Sequence, residues 1–561
     1  MKKIIPVLLL SFILVGCDVP SSKVSADESF RSFTNELFCE NVSSSTLSCH
    51  YTLKEPQAYN IDTSPISFGS FSQDKVSARA SLENYQHRLN KFPYNALSQE
   101  NQLTYDVLSY HLQTSLEGTE FLLYEEPLTP VTGIHTQLPI LLAEYSFDDE
   151  NDVKTYLSLL ETFPTYFDSL ISFEKDKYDA GLFMSNSSVH EIVAECSDFL
   201  AMGTDNYLLS SFEERLDKLP SLSAQSKQTY ARRNETLLAD YIYPSYQKLI
   251  SALCSTPAAD TPTEGLCHLP QGAEFYSFLV SRDTGSSRSI EELERLIRSQ
   301  MSADLIALQK ASVPSSQIVD TYSPKAILEH LKQACSYAFP TPASVSYEIK
   351  QVPKSMQPHL SPAFYLIPPL DDYTENVIYI NPAHNSENGT LYTTLAHEGY
   401  PGHLYQTTYF SSKNPDPIRH LLSFDGYVEG WATYAEMCSY SLLPGDPDYY
   451  AFLQKNASFI LGMYAMADIG IHYHGWQAKD TISFFQSFGI QDEASLQEVH
   501  NYIVASPANY LKYYIGYVEI LELKKKAIDR YGDDFSQKDF HKRLLEIGPA
   551  PFAIIEKYLF S

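Results

Sequence analysis

The chain has 561 residues, 44% of them hydrophobic and 19% charged, and carries a formal net charge of −29. That length and apolar content are enough to bury a sizeable core in two or more lobes. So acidic a chain, more acidic still once Lys2 and Lys3 are removed, excludes nucleic acid and anionic lipid as its main partner and leaves the substrate open.

Lys2 and Lys3 precede an apolar run from Ile4 to Val15 that ends in Leu14-Val15-Gly16-Cys17, the order of a secretory signal and too short to span a bilayer comfortably. A small residue directly before Cys, with Leu three before it, has the form of a bacterial lipobox. Residues 1–16 are then a signal peptide and Cys17 the lipidation site, whose acyl chains contribute about 0.8 kcal/mol per methylene buried in a membrane. Ordinary cleavage nearby, with release, is the alternative. Residues 17–28 read as a polar tether, and no later stretch approaches 18 uninterrupted apolar residues, so the remainder is expected to be a soluble, extracytoplasmic body.

Residues 29–260 carry helical patterning and are assigned to an N-terminal helical lobe, and residues 261–561 to a catalytic lobe. Ser98 to Gly118 has a capping residue in front and a glycine stop behind. Ser188-x-x-Glu191 and Ser289-x-x-Glu292 read as capping boxes, and Ser323 precedes Pro324 at a first helical position. The Pro- and Thr-rich stretch from Thr256 to His268 is the expected break between lobes. Of eight cysteines, seven follow Cys17; Cys39 with Cys49 and Cys254 with Cys267 are close enough in sequence to bridge, while Cys196 and Cys438 fit buried positions in helices. The 41 tyrosines are spread widely and read as core and rim rather than a binding strip.

The pattern changes once. Val345, Tyr347 and Ile349 alternate with polar residues, and Phe364 to Ile367 and Val377 to Ile380 are short β-rich runs, so residues 344–382 are expected to form a small sheet, either a capping hairpin or an edge able to hold an extended peptide. Helices resume after Asn388-Gly389, with the metal-binding helices expected in residues 391–440.

His397-Glu398-Gly399-Tyr400-Pro401-Gly402-His403 closes an apolar approach from Leu391 to Ala396. In a His-Glu-x-x-His arrangement two histidines share one helix face and the Glu serves as general base. Here the histidines are six apart, and at about 100° per residue an undistorted helix turns them away from each other. Pro and Gly inside a helix cost roughly 3 and 1 kcal/mol, so Pro401-Gly402 predicts a wound-out turn that brings His403 back beside His397; the plain alternative is a simple helix stop. Glu429, Thr433 and Glu436 fall at i, i+4 and i+7 of the next helix, and either glutamate could complete a two-His, one-carboxylate site with a fourth position left for water. Two further segments offer an imidazole or phenol to stabilise an oxyanion, Asp468 to His474 and Tyr510 to Tyr517.

The run Thr394 to Gln406, followed by Glu429-Gly430-Trp431-Ala432, resembles the bacterial family catalogued as domain of unknown function 885, whose members look like zinc-dependent peptidases, many of them lipoproteins. The likeness extends through His135-Thr136-Gln137-Leu138-Pro139, Gly181-Leu182-Phe183-Met184, Thr284-Gly285-Ser286, Asp468-Ile469-Gly470-Ile471-His472 and Tyr513 with Gly516. It implies that His397, His403 and Glu429 are ligands of one zinc ion, that Glu398 is the base, and that His472 and Tyr513 are the residues of the two downstream segments to watch. Two departures touch substrate recognition: Tyr464 stands where an Arg is expected and Asn509 where a Gln is expected.

The reading is therefore a mainly α-helical protein with a small β-sheet in the catalytic half and a gluzincin-like metallopeptidase cleft. It would act as a zinc metallopeptidase on peptide substrates, held at a bacterial membrane by a lipid anchor and binding no nucleic acid. Two other readings stay open: a peptide-binding surface lipoprotein with a structural metal, and a metal-dependent amidase acting on cell-wall peptides.

Overall fold

A computed structural model describes residues 25–561 except 131, 257–263, 312–322, 353–356, 358–360 and 385–389; Cys17 and its signal segment lie outside the described residues, as do Asn388-Gly389 and most of the expected break after Thr256. The fold is mainly helical with one three-stranded sheet, as the periodicity predicts. Helix starts follow the capping chemistry. Ser98 accepts from Asn101 N–H at the head of the helix Gln99–Gly118, Ser289 and Glu292 form a reciprocal box before Ile290–Lys310, and Ser323 caps Pro324–Ala334. Two expectations shift. The cap of Asn186–Ala201 is Ser185, whose side chain accepts from Ser188 N–H, so Ser188 and Glu191 lie within the helix. The first helix, Ala26–Val42, starts inside the stretch assigned as tether, because Ser25 and Glu28 form a capping box of their own. The described cysteines, from Cys39 to Cys438, are all unbridged. Cys39 instead donates to the Tyr59 carbonyl and Cys267 to that of Ile471.

The apolar residues form two cores. The larger joins most of the buried apolar residues from Phe30 to Tyr124 with residues between Leu266 and Leu559, so the start of the chain packs with the C-terminal half; the smaller gathers mainly residues between Leu128 and Leu253. The sheet lies between them. Strands β1 (Ser346–Gln351), β2 (Ala363–Leu366) and β3 (Glu375–Ile380) run in the order β1-β3-β2, with β1 parallel and β2 antiparallel to β3. Strand alternation sends Ala363, Tyr365, Ile378 and Ile380 into the larger core and Phe364, Leu366, Val377 and Tyr379 toward the smaller.

The helix Asp425–Ser439 crosses Asn509–Tyr531 at glycines. A Cβ on Gly430 would lie 2.4 Å from the Cα of Gly516, and one on Gly516 would lie 2.0 Å from the carbonyl oxygen of Gly426. Backbone meets backbone there, which fixes the distance between the two helices that carry Glu429 and Tyr513.

Asp468, on the long helix Pro447–His472, is fully buried. Its Oδ1 accepts from Tyr276 O–H (2.6 Å) and Ala508 N–H (3.0 Å). Burial pushes this carboxyl up to about 7. Between about pH 4 and 7 the unfolded chain has released a proton that the folded one keeps, so the stabilisation is complete at the acid end and is lost as pH rises. His472, one turn on and pushed down to about 4 by burial, has the opposite slope in an overlapping window, so the difference between variants isolates Asp468. The unfolding free energy of the wild type, from urea titrations, is expected to fall relative to that of Asp468→Asn as pH rises from 4 to 7, by an amount on the order of 4 kcal/mol. A gap independent of pH would contradict this assignment.

Candidate metal centre

The helix Thr390–Glu398 ends directly after the His-Glu pair, and a second helix, His403–Ser411, starts at the second histidine. Between them the chain folds back on the first helix end. A Cβ on Gly402 would lie 1.8 Å from the carbonyl oxygen of His397 and 2.4 Å from that of Ala396, so no other residue fits this approach. The turn is pinned by the buried Trp431, whose indole N–H donates to the Pro401 carbonyl (2.9 Å), and by Tyr405 N–H on the Gly399 carbonyl (3.2 Å). As a result the rings of His397 and His403 stand 4.8 Å apart, as the wound-out turn predicts.

Glu429, in the middle of Asp425–Ser439, brings Oε2 to 3.5 Å from His397 Nε2 and 3.4 Å from His403 Nε2. One ligand atom from each of the three residues lies within 4.8 Å of the others, and this is the group among the described residues that could hold a metal ion. Donors on a tetrahedral ion at about 2.0–2.1 Å sit roughly 3.4 Å apart, so two imidazoles and a carboxylate at these separations fit zinc. Glu436, the other carboxylate the spacing leaves open, sits behind the cluster and bonds His397 Nδ1 at 3.2 Å. That bond gives an Nδ1 proton its acceptor and turns Nε2 toward Glu429 and the centre of the cluster.

The charges in the cluster are tightly linked. Burial pushes the Glu429 carboxyl up, but hydrogen bonds from His397 and His403 outweigh it and hold the group far below the usual carboxylate range. Burial likewise works against a charged His397, and the bonds to Glu429 and Glu436 overcome it. Glu398 is not part of the ligand group. Burial raises its pKa, against the lowering pull of the two imidazoles, and its Oε2 accepts from Tyr365 N–H at 2.9 Å. That amide belongs to β2, an edge strand of the sheet, so the strand positions the carboxylate. Nothing in the sequence marks Tyr365, because the contact uses a main-chain group that every residue but proline has.

Of the two downstream candidates, the fold brings only one to the centre. The Tyr513 ring lies 6.3 Å from that of His397, with the Lys512 ammonium 5.4 Å from its own centroid, and burial followed by the Glu429 charge drives its pKa well up, so it stays a phenol. Tyr514 faces the core beside Gly462. His472 is corrected: it is fully buried, its Nδ1 accepts from Leu266 N–H (3.2 Å) and its Nε2 donates to the Ile503 carbonyl (2.8 Å). Both ring nitrogens are committed, so it has none to offer an oxyanion. Asp468, four residues before it on the same helix, bonds Tyr276 and Ala508 and not the imidazole. Of the two departures noted in the sequence, Tyr464 stacks on Tyr510 (4.7 Å between centroids) and Asn509 opens the helix that carries Tyr513.

A mainly helical fold holding a two-histidine, one-glutamate cluster defines a candidate metalloprotein. The family of bacterial proteins of unknown function DUF885 matches residues 68–311 and 299–559, and the chain belongs to it. Among solved structures, a candidate lipoprotein from Colwellia psychrerythraea is similar with a TM-score of 0.80 at 18% identity, covering 96% of this chain and 99% of that one. A candidate lipoprotein of unknown function from Shewanella oneidensis gives 0.66 at 16% identity, covering 95% and 100%. Both likenesses concern the fold. No curated protein matches the sequence.

The turn is the most exacting part of the site. Gly402→Ala is expected to push the turn off the helix end and to weaken by about 10-fold or more any zinc binding by the cluster, as measured by calorimetric titration. Unchanged affinity would show that the close approach at Gly402 does not set the ligand geometry.

Proposed function

We propose that the chain is an extracytoplasmic, membrane-anchored zinc-dependent metallopeptidase acting on oligopeptides. The observation that carries this reading is a carboxylate, Glu398, held beside a three-donor cluster without belonging to it. A purely structural zinc site needs no such base and tends to close its fourth position with a protein ligand. Zinc held by His397, His403 and Glu429 would polarise the scissile carbonyl and bring the pKa of water down toward about 7.

The remaining work falls to side chains of the chain. Glu398, its Oε2 fixed by Tyr365 N–H, keeps Oε1 for the attacking water, accepts that proton and returns it to the leaving amine. Burial raises its pKa, which makes it a better proton acceptor than an exposed glutamate. Tyr513, a phenol with no hydrogen-bond partner among the described residues, is the donor for the oxyanion. The β2 edge beside Glu398 forms one wall of a gluzincin-like cleft, along which an extended peptide can lie. Membrane anchoring rests on the lipobox ending in Cys17 and agrees with the lipoprotein descriptions of the two similar structures.

Glu398→Gln should retain zinc and lose nearly all peptide hydrolysis, while His403→Ala should lose both, read by elemental analysis alongside turnover. Tyr513→Phe should lower kcat about 100-fold with zinc content unchanged. Full zinc occupancy in His403→Ala would remove that residue from the site. For the anchor, Cys17→Ser should shift the protein from the membrane fraction to the soluble fraction or block its processing; membrane retention with normal processing would contradict the lipid attachment.

A further inference from the structure

Three tyrosines beside the metal centre have no part in the mechanism above. Tyr510 lies one helical turn before Tyr513, on the same side of the helix Asn509–Tyr531. Its ring is stacked on that of Tyr464 from the long helix Pro447–His472, at 4.7 Å and 18°. Tyr502, from the helix Glu493–Ala505, closes the third side at 5.9 Å and 58° from Tyr510, and is near enough to Tyr513 to influence its ionisation. Tyr464, Tyr510 and Tyr502 thus form one aromatic cluster that ends at Tyr502, which is 38% exposed, and Tyr513, whose ring lies 6.3 Å from that of His397, stands one helical turn from Tyr510.

The hydroxyls set these tyrosines apart. Tyr246, Tyr276 and Tyr427 end on the His135 carbonyl, the Asp468 carboxylate and the Leu544 carbonyl, as buried phenols ordinarily do. Among the described residues none of Tyr464, Tyr502, Tyr510 or Tyr513 has a hydrogen-bond partner for its hydroxyl. The aromatic cluster is also electrically quiet at its outer end: burial alone raises the pKa of Tyr464 and of Tyr502, and no charged side chain contributes. Phe485 backs Tyr464 at 5.5 Å and makes the surface firm.

We propose that Tyr464, Tyr502 and Tyr510 form a specificity subsite that receives a neutral aromatic side chain, that of a Phe, Tyr or Trp residue flanking the scissile bond of a peptide. This rests on the peptidase reading of the metal centre. A planar ring gains offset and edge contacts with three others already held at 4.7–5.9 Å, and the unpaired hydroxyls supply donors and acceptors around its rim. A charged side chain would lose hydration there with no counter-charge on Tyr464 or Tyr502. Tyr464, Tyr502 and Tyr510 act as specificity-determining residues, and chemistry stays with Glu398 and Tyr513.

The test uses full-length zinc-loaded protein and sets of three peptides that differ only in carrying Phe, Ala or Lys beside the cleaved bond. Wild type should cleave the Phe peptide with the highest kcat/KM. Tyr502→Ala should reduce the Phe-to-Ala ratio about 10-fold, and Tyr502→Phe, which keeps the ring, should retain most of it. The same peptides are titrated into the Glu398→Gln protein with and without Tyr502→Ala, so that binding is read without turnover. Cleavage with no aromatic preference, or a preference untouched by Tyr502→Ala, overturns the subsite and leaves the peptidase standing. If wild type cleaves none of the peptides, the peptidase reading fails; Phe-selective binding lost on Tyr502→Ala would then still uphold the subsite, and binding without selectivity would overturn it too.

Discussion

The structure turns on the contact between Gly402 and the end of the helix before it. His397 and His403 belong to two different helices, and only a residue without a side chain can bring the second helix start within van der Waals reach of the first helix's last carbonyls. Proline and glycine are expensive inside a helix, but between helices those costs vanish, because the hydrogen bonds they disrupt have already ended. The turn is then held from outside by Trp431, which sits two residues beyond Glu429 on the same helix. One helix therefore supplies both the third donor and the clamp that keeps the first two in register.

Three glutamates near His397 have different roles because of where the backbone puts them. Glu429 faces both Nε2 atoms and carries charge, Glu436 lies two turns along and takes Nδ1, and Glu398 is withdrawn to the β2 amide and retains proton affinity. One residue type thus takes three roles, set by backbone position alone. The small sheet contributes through position too: it lies between the two cores and presents one main-chain N–H, that of Tyr365, to the Glu398 carboxylate.

The helical class, the three strands and the paired histidines were readable in the sequence, since capping, alternation and the cost of Pro401-Gly402 act locally. Glu429 and Glu436 could not be separated by periodicity, because both lie on the inward face and only the third dimension decides which meets two imidazoles. Ser188 misled for a similar reason: a Ser three residues before a Glu satisfies the capping pattern, but Ser185 offers a cap one turn earlier and lets the helix start sooner. The expected division near residue 260 also differs from the packing, in which residues 30–124 share a core with the C-terminal half. Such long-range pairing leaves no periodic trace.

His472 is the most instructive departure. A histidine four residues after an aspartate suggests an oriented imidazole, yet each of the two side chains holds a piece of the same corner. His472 binds the Ile503 carbonyl near the end of one helix, and Asp468 binds the amide of Ala508, whose left-handed backbone opens the next. Tyr502 lies one residue before the first anchor and Tyr513 five residues after the second. The pair therefore governs the site through position: it fixes the angle at which the helix Asn509–Tyr531 leaves the corner, and with it the approach of Tyr513 to His397. Loss of hydration shifts both groups toward their neutral forms, the carboxyl pushed up to about 7 and the imidazole down to about 4, so below neutral pH the corner holds its shape through hydrogen bonds between uncharged side chains and the backbone.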